Sequence, residues 1–311
     1  MIDIRGAFDC HVHTAPSLFE RPWTAFETAE AALRQGMKGF VLKHHFQPSV
    51  AQASDVQKAY PELTVVGGVV LNRYTGGLNP YAVESAIKMG GRVVWFPTVD
   101  AKNHFDYFGT ASSYDVSDAG DGGPQLIGGN KGFERLTSGP GITALGEDGE
   151  LLPEAREIVD ICVRHDVVLG TAHLGREETF AVFRYAASRR ARRLLLGHAL
   201  WKPLNLSLEE LIEIADLGVT IEFAASISLP IPCHASPGLV VETIKAIGPE
   251  RCILSSDAGA AVFPIVPEAL RSYTQCLVDT GLDEDDAHRM LAVNPVRLVL
   301  EGAPTPQGSN G

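Results

Sequence analysis

Phe8-Asp9-Cys10-His11-Val12-His13 closes the first apolar run of the chain, and the fold can be worked out from it. Residues i and i+2 of a strand share one face of the pleat, so two imidazoles spaced this way can reach one metal ion. With ten histidines in 311 residues, an HxH arises by chance about 0.3 times per chain, so the tripeptide alone is a weak signal. It gains weight from three further potential ligands, each at the end of an apolar, strand-like run. His173 closes Leu169-Gly170-Thr171-Ala172-His173, His198 closes Leu195-Leu196-Gly197-His198, and Asp257 closes Leu254-Ser255-Ser256-Asp257.

Working outward, short β-branched or apolar runs alternate with helical patterns along nearly the whole chain. The spacing predicts strands at 7–13, 39–45, 64–71, 92–98, 167–173, 193–198, 219–224 and 251–257. Helix signals lie between them. Asn79-Pro80 reads as N-cap and first turn with Gly90 as the stop, and Ser207 with Glu210 reads as a capping box ending at Gly218. Pro153 opens a helix at 153–165 and Pro267 another at 267–280. Eight βα units predict an α/β fold of the (β/α)8 TIM-barrel type, because parallel strands need helical crossovers and burial on both faces. A doubly wound open sheet is the alternative, but no glycine-rich phosphate fingerprint follows the first strand.

One stretch interrupts the rhythm. Residues 99–141, after the fourth strand, are rich in Gly, Ser and Asp without strong periodicity and read as a lid-like insertion on the catalytic face. Ile142-Thr143-Ala144-Leu145 then reads as a short extra strand, with Glu147-Asp148-Gly149 as its turn. Residues 1–302 are expected to form one barrel domain and 303–311 a flexible tail.

Composition narrows the function. A net charge of −12 argues against nucleic acid or an anionic membrane as partner. The basic run Arg189-Arg190-Ala191-Arg192-Arg193 reads as a solvated helix end. Five cysteines without paired spacing suit a reducing compartment. Cys10 is expected to point away from the HxH face as a buried thiol. No basic region followed by an apolar stretch opens the chain, and no run approaches the roughly 18 residues of a membrane span. A cytoplasmic protein acting on a small molecule is expected, with homo-oligomerisation open.

In a closed barrel the C-terminal ends of all strands face one mouth, so His11, His13, His173, His198 and Asp257 would converge there. Four imidazoles and a carboxylate suit a divalent ion, zinc first, with Mn, Fe or Ni as alternatives and one or two ions. Lys43 lies near the mouth end of the second strand, as a bridging candidate, an anion contact or a partner for a carboxylate. His45 shares its face as a further ligand or substrate contact, while His44 faces the helices. His104, with Asn103, opens the insertion and would enter the site from above unless it is solvated. Glu178 begins a helix, where the dipole alone favours an acid. Glu222 ends the seventh strand, facing the mouth or pairing between strands.

With these residues in place the chain resembles the amidohydrolase superfamily over roughly residues 7–300: HxH on strand 1, His on strands 5 and 6, Asp on strand 8, and a closing Asn294-Pro295 segment. Lys43-His44-His45 and Pro97-Thr98 through Asn103-His104 look like a poorly characterised amidohydrolase-like family within it. The resemblance implies that His11, His13 and Asp257 hold one metal, with His173 and His198 near it or holding a second. It departs at the fourth strand, where Val93-Val94-Trp95-Phe96-Pro97-Thr98 offers neither the bridging Lys nor the Glu common in binuclear members. The implied activity is metal-dependent hydrolysis of an amide, lactone or ester, with Asp257 moving the proton and the metal or His198 polarising the scissile group. The alternatives are a metal-dependent non-oxidative decarboxylase on the same barrel and a non-catalytic metal-binding barrel.

Overall fold

The computed structural model describes residues 1–109, 139–228 and 234–301. The eight predicted strands are present and pair in parallel: β1 (Phe8–Val12), β2 (Gly39–Leu42), β3 in two halves, β3a (Thr64–Val66) and β3b (Gly68–Val70), β4 (Val93–Trp95), β5 (Val168–Thr171), β6 (Leu194–Leu196), β7 (Val219–Ala224) and β8 (Cys252–Ser255). Around them run α1 (Ala25–Arg34), α2 (Val50–Ala59), α3 (Pro80–Lys88), α4 (Lys102–Phe108), α5 (Pro153–His165), α6 (Arg176–Ser188), α7 (Leu208–Asp216), α8 (Pro237–Ile247), α9 (Val266–Asp279) and α10 (Asn294–Val299).

The start signals act as read. The Asn79 side chain accepts from Tyr81 N and Ala82 N, and Ser207 and Glu210 form a reciprocal capping box. Thr24 and Glu27 form another at α1.

The hydrogen-bonded ladder runs β1-β2-β3a and β3b-β4-β5-β6-β7-β8. At the break in β3 the chain turns at Gly67, where an added Cβ would lie 2.7 Å from the Ser49 carbonyl carbon. The close approach lets Ser49 take over ladder bonds: its N donates to Gly68 O, and its Oγ accepts from Gly68 N, both at 2.9 Å. At the other seam β1 meets the end of β8. Asp257 N donates to His11 O and His13 N to Ala258 O, both at 2.9 Å, and Val12 bridges Ala258. The buried Asp9 carboxylate clasps this seam, accepting from His11 N at 3.0 Å and Ser256 N at 3.2 Å. The strands thereby close into a ring, the (β/α)8 barrel.

Side chains fill two layers. Phe8, Cys10, Val41, Trp95, Leu195 and Ile253 are among those packed inside the ring, closed at its lower end by Leu298 and Val299 of α10. A larger layer, including Phe40, Leu42, Phe96, Leu196 and Ile221, packs strands against helices. Burying each such side chain contributes roughly 1.5–3 kcal/mol before ordering costs. No helix among the described residues is long and apolar enough to cross a membrane.

Several expectations need correcting. Cys10 is the buried thiol expected, but it is not turned away from the HxH face: it joins Phe8 in the interior layer, while Val12 lies in the outer one. Alternation fails because the β1–β2 register shifts between Asp9 and Val12. The insertion starts with a helix, Lys102–Phe108, that its composition does not announce; most of the lid-like stretch, 110–138, and the expected tail, 303–311, lie outside the described residues. Residues 142–145 form no strand, and their ladder contacts are isolated bridges from Ile142 to Ala101 and from Leu145 to Leu151. The basic run is not simply solvated. Arg189 pairs with Asp160, Arg192 and Arg193 pair with Asp166, and buried Arg193 donates to the Arg297 and Leu298 carbonyls that end the interior plug.

Candidate metal centre

The strand ends at the barrel mouth bring His11, His13 and Asp257 together, with one ligand atom from each lying within 4.8 Å of the others. Asp257 Oδ1 is 2.9 Å from His11 Nε2 and 3.1 Å from His13 Nε2, and its Oδ2 accepts from Ser226 Oγ at 2.6 Å. The outer ring nitrogens are both engaged. His11 Nδ1 meets Glu222 Oε1 at 3.0 Å, with Ser255 Oγ donating to the same oxygen at 2.7 Å. His13 Nδ1 meets the Lys43 carbonyl oxygen at 2.8 Å. A carbonyl oxygen only accepts and Glu222 is held as the carboxylate, so both rings carry hydrogen on Nδ1 and offer Nε2 inward.

This donor set fits a cation. The bare His13 Nε2 faces the carboxylate Oδ1 at 3.1 Å, and two lone pairs at that separation repel unless positive charge lies between them. On His11 the same demand is visible. Burial disfavours the charged ring, yet Asp257 and Glu222 outweigh it and raise its pKa to about 9, so a proton can stand where a metal would. In His13 burial prevails and keeps the ring neutral. Burial likewise works against ionised Asp257, but the facing imidazoles hold its carboxyl well below the usual range.

Lys43 is 2% exposed, and its Nζ lies 3.1 Å from His11 Nε2 and 5.5 Å from the Trp95 ring centroid. Burial lowers its ammonium pKa, with Asp257 and Glu222 opposing.

On the β5–β6 side the imidazoles partner one another. His173 Nδ1 lies 3.0 Å from His104 Nδ1, and the two rings stack at 5.0 Å. His173 also packs on Trp201 at 4.4 Å and on His198 at 5.4 Å. His198 Nδ1 is buried without a hydrogen-bond partner among the described residues and stands 3.9 Å from Asp257 Oδ2, too far for a hydrogen bond. Burial lowers the His198 pKa to about 4. His198 and Asp257 both hold left-handed backbone, with φ of 57° and 49°. Such strain costs on the order of 1–3 kcal/mol per residue and tends to collect at functional sites. His173 and His198 thus adjoin the three-donor group without joining it.

His45 stacks on His13 at 4.7 Å, and its Nδ1 meets Thr98 Oγ1 at 2.9 Å. His44 bonds the Pro16 carbonyl oxygen. His104 is fully buried on α4, not solvated. Glu178 faces elsewhere: it accepts from Thr143 Oγ1, Ala144 N and Gly175 N, tying residues 143–144 to the start of α6. The sequence reading missed Ser226, Ser255, Asn72 and Trp201. Each closes or follows a predicted strand or its turn, but nothing in its residue type announces a role.

Residues 6–222 match the family described as "Family of unknown function (DUF6282)", a span holding every candidate residue except Asp257. Among curated proteins, none matches the sequence. Several solved structures share the fold. A YjjV structure, a TatD homologue from Escherichia coli K12, has a TM-score of 0.53 at 14% identity, covering 95% of this chain and 98% of that one. An amidohydrolase from Pseudomonas aeruginosa has a TM-score of 0.59 at 13% identity, covering 94% of each chain. A mutant organophosphorus hydrolase from Deinococcus radiodurans has a TM-score of 0.53 at 15% identity, covering 96% and 94%.

Proposed function

This chain belongs to the DUF6282 family, and we propose that it is a metal-dependent hydrolase of the amidohydrolase type, cleaving an amide, lactone or ester bond of a small molecule. The observation that carries the reading is the convergence of His11 Nε2, His13 Nε2 and Asp257 Oδ1 within 4.8 Å, each imidazole fixed from behind by an acceptor. His11, His13 and Asp257 would hold the ion, and zinc suits two imidazoles and a carboxylate. A divalent ion held there supplies Lewis-acid activation of water and of the scissile group. Glu222 and the Lys43 carbonyl oxygen orient the two rings. Asp257 Oδ2, steadied by Ser226, takes the proton of the attacking water and returns it to the leaving group. His198, whose Nδ1 has no hydrogen-bond partner among the described residues and lies beside Asp257, polarises the scissile oxygen.

A second reading, non-oxidative decarboxylation, is favoured by one feature. His11, His13 and Asp257 are the one three-donor group among the described residues, which suits a single ion. The experiment is elemental analysis of the purified protein per chain, followed by turnover of an ester, lactone and amide panel beside carbon dioxide release from a carboxylate panel. Metal-dependent hydrolysis supports the first reading. Carbon dioxide release without hydrolysis replaces it with the second, and a chain that takes up no divalent ion ends both.

A further inference from the structure

His45 lies against His13, but the nitrogen it turns to its neighbours meets a donor where His11 and His13 meet acceptors. The chain of assignment begins at Asn72, which is fully buried. Its Oδ1 accepts from Thr98 N at 2.8 Å and Asp100 N at 3.4 Å, and its Nδ2 donates to the His45 carbonyl oxygen at 3.1 Å. Backbone partners of both kinds fix which way the amide points. The same Nδ2 donates to Thr98 Oγ1 at 2.9 Å. That hydroxyl has one hydrogen of its own, and the acceptor within reach among the described residues is His45 Nδ1 at 2.9 Å. Thr98 therefore donates to Nδ1, which must be bare, and the ring hydrogen sits on Nε2.

The consequence is a ring of opposite tautomer to its stacked neighbour. His13 turns a lone pair to the centre, whereas His45 carries an N–H with no protein partner among the described residues, on a side chain that is only 3% exposed. The Phe19 ring, edge-on at 5.7 Å, and the His13 ring at 4.7 Å hold the imidazole between them. A nitrogen bearing hydrogen cannot ligate a metal, but it can donate to an oxygen.

We propose that His45 is a fixed Nε2–H donor to an acyl oxygen of the substrate on the β2 side of the centre, locked in that tautomer by Asn72 and Thr98, and is not a metal ligand. The proposal rests on the hydrolase reading above for what the hydrogen bond meets, but the tautomer is independent of it.

The first test is ring-15N histidine labelling of the wild-type chain, with long-range proton–nitrogen correlation to read which nitrogen of His45 bears hydrogen, the resonance being assigned by its loss in His45→Phe. Hydrogen on Nε2 is expected, and hydrogen on Nδ1 overturns the proposal. The second is binding of benzohydroxamate, a probe with an acyl oxygen and a metal-seeking head, to zinc-loaded protein. His45→Phe should keep the wild-type zinc content yet bind the probe about tenfold more weakly, while His45→Gln restores most of the affinity. Thr98→Val, nearly isosteric, should weaken binding roughly threefold by releasing the tautomer. Loss of zinc in His45→Phe, or unchanged probe affinity in both His45→Phe and Thr98→Val, overturns the role. A wild-type chain that binds neither zinc nor benzohydroxamate fails the hydrolase reading instead, and the nitrogen spectrum still decides the tautomer.

Discussion

The β1–β8 side of the mouth and the β5–β6 side use the same residue type to opposite ends. His11 and His13 each have an acceptor behind the ring, Glu222 Oε1 or the Lys43 carbonyl oxygen, so both Nε2 lone pairs are presented to one point beside Asp257. His173 instead spends Nδ1 on His104, and His198 Nδ1 has no hydrogen-bond partner among the described residues. Four histidines at strand ends are therefore not four equivalent ligands. What distinguishes them is the atom behind each ring, which sets the tautomer and the direction of the remaining lone pair.

The comparison breaks or sharpens under mutation. The largest effect is expected from Asp257→Ala or His11→Ala, which should lower zinc affinity by roughly a hundredfold or more, beyond the loss typical of an orienting partner. Helical circular dichroism should stay largely intact. His173→Ala should lose far less metal, and equal loss measured by elemental analysis would erase the distinction between the two sides. Next, Glu222→Gln keeps the shape behind His11 but removes its charge, and affinity should fall about tenfold.

The pH dependence sharpens the same point. The His11 pKa is raised to about 9 because Asp257 and Glu222 overcome the effect of burial, so a metal arriving at lower pH must displace one proton. Zinc affinity, followed by competition with a chromophoric chelator, should rise about tenfold per pH unit from 6.5 to 8.5. A flat profile would mean that His11 carries no such proton. The smallest effect is expected from Glu178→Gln, which weakens a tether remote from the three donors. Stability should drop by roughly 1 kcal/mol in denaturant titration, with metal content unchanged.

The barrel was legible because period and punctuation agree over eight units, down to the caps at Asn79 and Ser207. The convergence of strand ends follows from closure, so His11, His13 and Asp257 could be paired across 246 positions before any coordinates. What stayed illegible depends on single atoms. Nothing in Leu-Gly-His reveals that His198 adopts left-handed backbone, and nothing in Gly-Arg-Glu-Glu reveals that Glu178 turns toward Ala144 N. Cys10 was misplaced because alternation assumes an unbroken pleat, and β1 shifts register at the point where the site begins. For His104 the sequence leaves entry to the site and solvation both open, because α4 is short and lies in a segment whose composition reads as loop.

The clasp of Asp9 across the seam places ligands of the same centre on the first and last staves of the ring. Assembly of the centre is thus tied to the arrival of the last strand. A nascent chain halted before residue 252 would expose β1 and β7 as open sheet edges, able to pair with other chains, and would hold its two imidazoles without their acid. Closure of the ring and competence to take up an ion thus depend on the same strand, so a product lacking β8 is aggregation-prone and inert together.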